Sequence, residues 1–396
     1  MFAKKALSIS PSPTLAIDAL AKKMKSEGVD VVGFGAGEPD FDTPEHIRDA
    51  GIRAITDGYT KYTPAAGSLE LQQAICKKLK TDNGLDYSPA EIVISNGAKH
   101  SLTNIFAAIL DPGDEVIVPA PYWVSYPEMV KLNDGVPVVL PTRAENRFKA
   151  TVKELTSALT VKTKAVVLNS PSNPTGQVYS GEELQAVARF AVENNLFVVS
   201  DEIYEKLIYG EIRHISIASL GEEIKKMTIV VNGVSKTYAM TGWRIGYTAC
   251  DAGLAKIMGN IQSHATSNPN SMAQKAALAA LEGSQECVQT MREAFAARRD
   301  FMVKRIGDLA GLYCIEPEGA FYVLLGVNKT FGRSYRGTVL KNCDDFASAL
   351  LENSQVAVVP GSGFGAPDFV RLSYAVSMEH ISKGLDRIET FVKELR

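Results

Sequence analysis

The chain has few cysteines, no long apolar run and almost no net charge, and each shortage removes a class of function. Its five cysteines, Cys76, Cys250, Cys287, Cys314 and Cys343, are scattered, odd in number and never in a Cys-x-x-Cys pair. That spacing argues against a disulfide framework or structural zinc, so no metal site and a reducing, cytoplasmic compartment are expected. No stretch approaches the roughly 18 consecutive apolar residues of a membrane span, and the basic start Met-Phe-Ala-Lys-Lys has no apolar core after it. Neither a span nor a signal peptide is expected. The formal charge is −3, with no block of like charges, which gives nucleic acid and acidic membranes no long-range attraction. Short-period repeats and low-complexity segments are missing too, so solenoid and linker architectures lose their usual support. A small-molecule partner is favoured.

What is there is a chain of 396 residues with 45% apolar side chains, enough for a large core and two or three domains. Short β-branched runs at Glu91–Ser95, Glu115–Val118, Val136–Leu140, Ala165–Leu168, Leu196–Ser200 and Thr228–Val231 read as strands. Helical patterns separate many of them, and this alternation predicts an α/β fold with a doubly wound, mostly parallel sheet. Two prolines keep Ser8 to Pro13 out of a helix, and Ile17, Leu20, Ala21 and Met24 then fall on one helical stripe. Val29 to Phe34 reads as a strand, and Thr43-Pro44 as an N-cap and first turn. After the long pattern Gln285 to Asp308 the character changes, with strands expected at Gly319–Leu325, Val356–Val359 and Phe369–Tyr374 and helices at Asp344–Asn353 and Ser377–Leu395. A large α/β domain over 44–289 and a smaller α+β domain from 1–43 plus 290–396 are expected.

Polar residues gather where these strands end, and ligand crevices in open α/β sheets lie there. Thr228-Ile229-Val230-Val231 is broken by Asn232-Gly233, which puts Lys236 in a loop beyond the sheet, and Arg244 follows eight residues later. Two cations there suit a phosphorylated aldehyde, although each alone reads as a surface charge. Asn96-Gly97-Ala98-Lys99 joins a strand to a helix start, a turn that suits phosphate. Asn173 and Asp201 follow consecutive strands, and Asp201 and Tyr204, three apart, would share a helical face. Trp123 lies in a proline-held aromatic loop and can stack on a flat ring. Gly37 leaves backbone bare for a ligand carboxylate, Arg371 stands among apolar strand residues, and Tyr62 lies in a loop.

The run Val-Ser-Lys-Thr-Tyr-Ala-Met-Thr-Gly-Trp-Arg-Ile-Gly from Val234 to Gly246, with Gly-Glu-Pro-Asp-Phe at 37–41 and Pro-Tyr-Trp at 121–123, resembles class I and II pyridoxal-phosphate aminotransferases. It is most similar to the bacterial and plant aspartate and prephenate subgroup. One position departs from many relatives: Gly233 stands where they carry a hydroxyl. The resemblance implies pyridoxal 5'-phosphate bound covalently through Lys236. It places Gly97, Ala98 and Arg244 around the phosphate and Trp123, Asn173, Asp201 and Tyr204 around the ring, counts Lys99 among the cofactor-binding residues, and has Tyr62 reaching the cofactor phosphate of a neighbouring subunit. Lys236, Asp201 and Tyr204 form the catalytic set. Gly37, Lys99, Trp123, Asn173 and Arg371 would meet the substrate, Arg371 at its α-carboxylate and Lys99 at a distal one. An Asp201 carboxylate about 4 Å from the pyridine nitrogen, at an effective dielectric near 20, favours the protonated ring by roughly 4 kcal/mol.

The implied activity is ping-pong transamination between aspartate or glutamate and a 2-oxo acid such as 2-oxoglutarate or oxaloacetate, by a homodimer with shared active sites. A bifunctional aspartate/glutamate–prephenate enzyme, an aromatic or alanine aminotransferase, a lyase or synthase using the same cofactor, and a cofactor-sensing regulator stay open as alternatives.

Overall fold

A computed structural model describes residues 2–11 and 13–396. Seven strands form the main sheet: β1 (Ile92–Ser95), β2 (Glu115–Ala120), β3 (Val136–Pro141), β4 (Thr163–Asn169), β5 (Phe197–Asp201), β6 (Thr228–Gly233) and β7 (Gly246–Ala249). Their spatial order is β1-β7-β6-β5-β4-β2-β3, and only β7 runs antiparallel to its neighbours. Continuous apolar runs such as Ile-Val-Val in β6 follow from burial on both faces. One layer packs Ile105, Phe106 and Met258 over Val116, Val167 and Val231, and the other packs Leu184, Val187 and Ala191 over Ile117, Val166 and Val198.

The β4–β5–β6 register sets Asn169 beside Asp201 and Asp201 beside Val231. The polar ends of β4 and β5 therefore stand at one edge of the sheet. Asn169 fixes them further, since its Nδ2 donates to the Asp201 carbonyl at 3.0 Å while its Oδ1 accepts from the Asn173 amide at 2.8 Å.

The 22-residue helix Glu286–Gly307 leads to a second, antiparallel sheet of β8 (Tyr313–Cys314), β9 (Tyr322–Gly326), β10 (Val359–Pro360) and β11 (Phe369–Ser373), in the order β10-β11-β9-β8. Helices Cys343–Ser354 and Met378–Lys393 pack Phe346, Leu350, Leu385 and Phe391 with Val323 and Leu372 of this sheet.

Several expected elements take a different form. The Val29–Phe34 strand is only Val32–Gly33, because the Val29 amide donates to the Met24 carbonyl and that of Val31 to Val29, closing a turn after the preceding helix. The Val356–Val359 run is two pieces, Val356–Ala357 paired with Val32–Gly33 and Val359–Pro360 paired with β11. Pro13 opens the helix Pro13–Ser26, which the missing N–H allows at a first turn, and residues 8–11 are not helical; Ser12 lies outside the described residues. On that helix Ala21 is buried with Ile17 and Met24 against it, whereas Leu20, at the stripe's margin, is exposed. Thr43 does not cap the helix Glu45–Thr56, whose N-cap is Pro44. Its hydroxyl instead donates to the Ala239 carbonyl at 2.6 Å and accepts from Trp243 Nε1 at 3.0 Å, tying it to the loop beyond Lys236. Among the described residues, no helix is long and apolar enough to cross a membrane.

Candidate active site

A cavity of about 280 Å³ opens at the strand ends of the main sheet, between them and the second sheet. Gly37, Ala98, Lys99, Trp123, Asn173, Asp201, Tyr204, Lys236, Arg244 and Arg371 all line it. Of the residues singled out from sequence, Gly97 stands just behind the wall, and Tyr62 is 89% exposed and outside the cavity.

Lys236 leaves the loop after β6 and donates from Nζ to the Gly37 carbonyl at 2.6 Å. Desolvation lowers its pKa from the usual 10.5 to about 8; Glu38 and Asp201 oppose the fall, and Arg244 and Arg371 add to it. A larger share of the amine is thus neutral and nucleophilic at a given pH than in a solvated lysine. Asp201 ends β5 and is 3% exposed. Burial raises its carboxyl to about 6, held from going higher by a Tyr126 hydroxyl at 2.6 Å on Oδ2 and the Ile203 amide on Oδ1. The expected helix after it is absent. The Glu202 amide donates to the Val231 carbonyl, so the chain stays paired past Asp201 and then turns, bringing Tyr204 into the cavity from that turn.

Behind Asp201, the neighbouring Glu202 accepts from the Ser200 and Ser216 hydroxyls and pairs with His214, and Glu205 pairs with the Lys78 ammonium. This buried set braces the turn. Glu202, Glu205 and His214 lie close enough to share a cation, but the Lys78 ammonium already neutralises Glu205.

Gly97 adopts φ +85° at the N-terminus of helix Ala98–Ile109, and a Cβ there would fall on the Arg244 guanidinium. Arg244 Nη1 donates to the Thr241 carbonyl at 2.7 Å, which holds the guanidinium against that helix start. A cation and free helix amides make a cradle for a phosphate group. Gly233, the departure noted from sequence, has a packing cause: a Cβ there would lie 2.9 Å from Gly246 Cα and from the Ile245 carbonyl, where β6 meets β7.

Arg371 is 2% exposed, with Nη1 on Asn173 Oδ1 and Nη2 on the Gly35 carbonyl, both at 3.0 Å. Among the described residues it has no acidic partner, and its buried Nε has no acceptor. A buried cation with an unused donor fits a carboxylate ligand. Lys99 Nζ rests 5.0 Å from the Trp123 ring centre, and burial together with Arg244 lowers its pKa. The donor set as a whole fits a phosphorylated aldehyde with a pyridine nitrogen: an amine, a phosphate cradle, a ring-facing carboxylate and a flat aromatic cover.

Sequence reasoning missed Tyr126, Tyr322, Ser235 and Thr241, which also line the cavity. Tyr126 carries a weak signal, three places after Trp123 at a helix start. Tyr322 carries an alternation signal, since period two along β9 sets it on the face of Leu324, across from Arg371.

Residues 29–388 match the family model described as aminotransferase class I and II. Over 99% of each chain, the sequence is 51% identical to the aspartate aminotransferase of Bacillus sp. strain YM-2. It is 46% identical to the aspartate/prephenate aminotransferase of Nitrosomonas europaea, over 97% of this chain and 98% of that one. The solved aspartate aminotransferase of Rhizobium meliloti superimposes with a TM-score of 0.97 over the whole of both chains at 43% identity.

Proposed function

The chain belongs to the class I and II aminotransferases, and we propose that it moves the amino group of aspartate or glutamate to 2-oxoglutarate or oxaloacetate in two half-reactions, with pyridoxal 5'-phosphate anchored on Lys236. The observation that carries this reading is the meeting of Lys236, Asp201, Arg244 and Arg371 in one cavity. When bound, the cofactor supplies an electron sink for the pair left on the substrate's α-carbon. The remaining work falls to the chain's own side chains.

Arg371 grips the α-carboxylate with its planar fork, which a lysine could not reproduce. That contact sets the α-carbon beside Lys236, whose amine, made less basic by burial, would take the α-proton and deliver it to the carbon that was the aldehyde, two atoms away across the nitrogen. Asp201 supplies the negative charge that keeps the pyridine nitrogen protonated, and Tyr204 and Asn173 hydrogen-bond the ring oxygen. Gly97, Ala98 and Arg244 hold the phosphate, and Trp123 covers the ring. Lys99, at the cavity wall, receives the distal carboxylate of a dicarboxylic substrate. Within this reading the enzyme is a cytoplasmic homodimer. The exposed Tyr62 reaches the partner's phosphate site, residues 44–289 bind the cofactor, and 1–43 plus 290–396 form the smaller domain.

A panel of half-reactions tests this. The cofactor-loaded protein is mixed with single amino acids, and loss of its aldehyde absorbance is followed. Aspartate and glutamate should react fastest; no reaction with either, or a clear preference for alanine, defeats the assignment. Arogenate belongs in the panel because a relative at 46% identity is named aspartate/prephenate aminotransferase. Its conversion at a rate near that of aspartate would favour the bifunctional reading.

A further inference from the structure

Tyr322 opens β9, and the antiparallel register sets Leu324 opposite Arg371 and Tyr322 opposite Ser373. Residues two apart on a strand share a face, so Tyr322 and Arg371 are diagonal neighbours on one side of the sheet. The guanidinium carbon lies 4.3 Å from the Tyr322 ring centre, and the Tyr322 hydroxyl lies 3.0 Å from that of Tyr204. All three side chains are buried and line the same cavity.

Each phenol has one proton, so only one can donate across the 3.0 Å contact. The better donor is the one whose developing negative charge is stabilised. Arg371 stacks on Tyr322, while Tyr204 packs edge-on against Phe321 and Tyr322. The acidities agree in direction. Burial raises both phenols and Arg371 lowers both, but Arg371 is the largest influence after burial on Tyr322, and the contact between the two phenols lowers Tyr322 while it pushes Tyr204 higher.

We propose that Tyr322 is a positioning residue for transamination: it donates its proton to Tyr204 and so leaves the single Tyr204 proton for the phenolic oxygen of the bound cofactor. The inference rests on the transaminase reading above. A hydroxyl that accepts one bond becomes a stronger donor in the next, by about 10–30% per bond. Tyr322 thus joins the carboxylate-binding arginine to the residue that holds the ring oxygen.

The test is the pH titration of the visible absorption of the pyridoxal-phosphate-loaded protein, for wild type, Tyr322→Phe, Tyr204→Phe and the double variant. A donor to the ring oxygen favours its ionised form and lowers the midpoint. Tyr322→Phe should therefore raise the midpoint by a fraction of a pH unit, Tyr204→Phe should raise it further, and the double variant should match Tyr204→Phe alone. A fall in Tyr322→Phe would mean that Tyr204 is the donor, and would overturn the proposal. So would no change, or a shift of equal size with Tyr204 already removed. Should Tyr322→Phe fail to fold, fluorotyrosine at position 322, a more acidic phenol, must lower the midpoint; an unmoved or raised value overturns the proposal equally. A wild-type protein that gains no absorption band defeats the transaminase reading and this relay with it, whereas a normal band that the variants leave unmoved defeats the relay alone.

Discussion

Tyr126 donates its phenolic proton to Asp201 Oδ2 across 2.6 Å, with both side chains buried at the end of the main sheet. The bond opposes burial and holds the carboxyl at about 6. Tyr126→Phe should therefore raise it further and weaken the charge that Asp201 would offer the pyridine nitrogen. Hydrogen bonds to charged groups contribute about 1.5–3 kcal/mol, so pyridoxal phosphate affinity should fall by roughly 10- to 100-fold. The loss should be greater at about pH 6 than at about pH 8, because the variant's carboxyl is the more protonated at the lower value. Equilibrium binding at the two values checks it, and an equal loss at both would assign Tyr126 to packing alone.

Asp201 also sets a stability cost that can be measured without cofactor. A carboxyl whose folded pKa, about 6, exceeds its ordinary 3.8 favours folding while protonated; that contribution is complete below 3.8 and lost as pH rises through 6. At about pH 8 the buried ionised group therefore costs roughly two pKa units, or about 3 kcal/mol. Asp201→Asn should melt higher than wild type in the cofactor-free state at about pH 8, and the gap should close by about pH 4. A variant that melts lower at both values contradicts the sign.

How far the sequence reached depended on chain separation. Lys236 and Arg244 stand in one continuous run whose strand break and small residues are local, so both were readable. The Tyr204–Tyr322 contact joins residues 118 apart, and Tyr126 and Asp201 are 75 apart. No local pattern announces such pairs. The helical face assigned to Asp201 and Tyr204 failed because the Glu202 amide stays paired with Val231, a tertiary choice that residue spacing does not contain. Thr43 was misread for the same reason: its hydroxyl serves Ala239 and Trp243, 196 and 200 residues away, rather than its own helix. Gly233 looked like a defect in the motif and is a packing requirement set by Gly246.

Capture of the cofactor should report the Lys236 amine directly. Only its neutral form attacks an aldehyde, and burial sets the pKa at about 8. The rate at which cofactor-free protein takes up pyridoxal phosphate should rise about tenfold per pH unit below about 8 and level off above it. Glu38 supports the protonated amine, so Glu38→Gln should move the midpoint to lower pH. Stopped-flow absorbance gives the profile; a midpoint near 10 would mean that the amine is solvated as in a free lysine.

Arg371 should matter to every amino acid in the same proportion. Its Nη1 and Nη2 each spend one N–H on Asn173 and Gly35, which leaves the second N–H of each for a carboxylate, and Nε has no acceptor among the described residues. Arg371→Lys keeps the charge but loses the fork. The kcat/KM for aspartate, glutamate, alanine and phenylalanine should each fall by about 10- to 100-fold, the range of the one charge-assisted bond that a lysine cannot replace. A loss confined to dicarboxylates would place Arg371 at the distal carboxylate instead.

Lys99 should separate those same substrates. Its Nζ lies over Trp123, and burial beside Arg244 lowers its pKa, so a second carboxylate entering the cavity would restore the balance of charge. Alanine and phenylalanine have no such group to offer. Lys99→Ala should cut kcat/KM for aspartate and glutamate by about 10- to 100-fold, the range of one charge-assisted bond, and leave alanine and phenylalanine within about threefold. The contrast between the two groups is the decisive quantity, because a general loss of cofactor would lower all four together. Equal losses would leave Lys99 a cofactor-binding role alone.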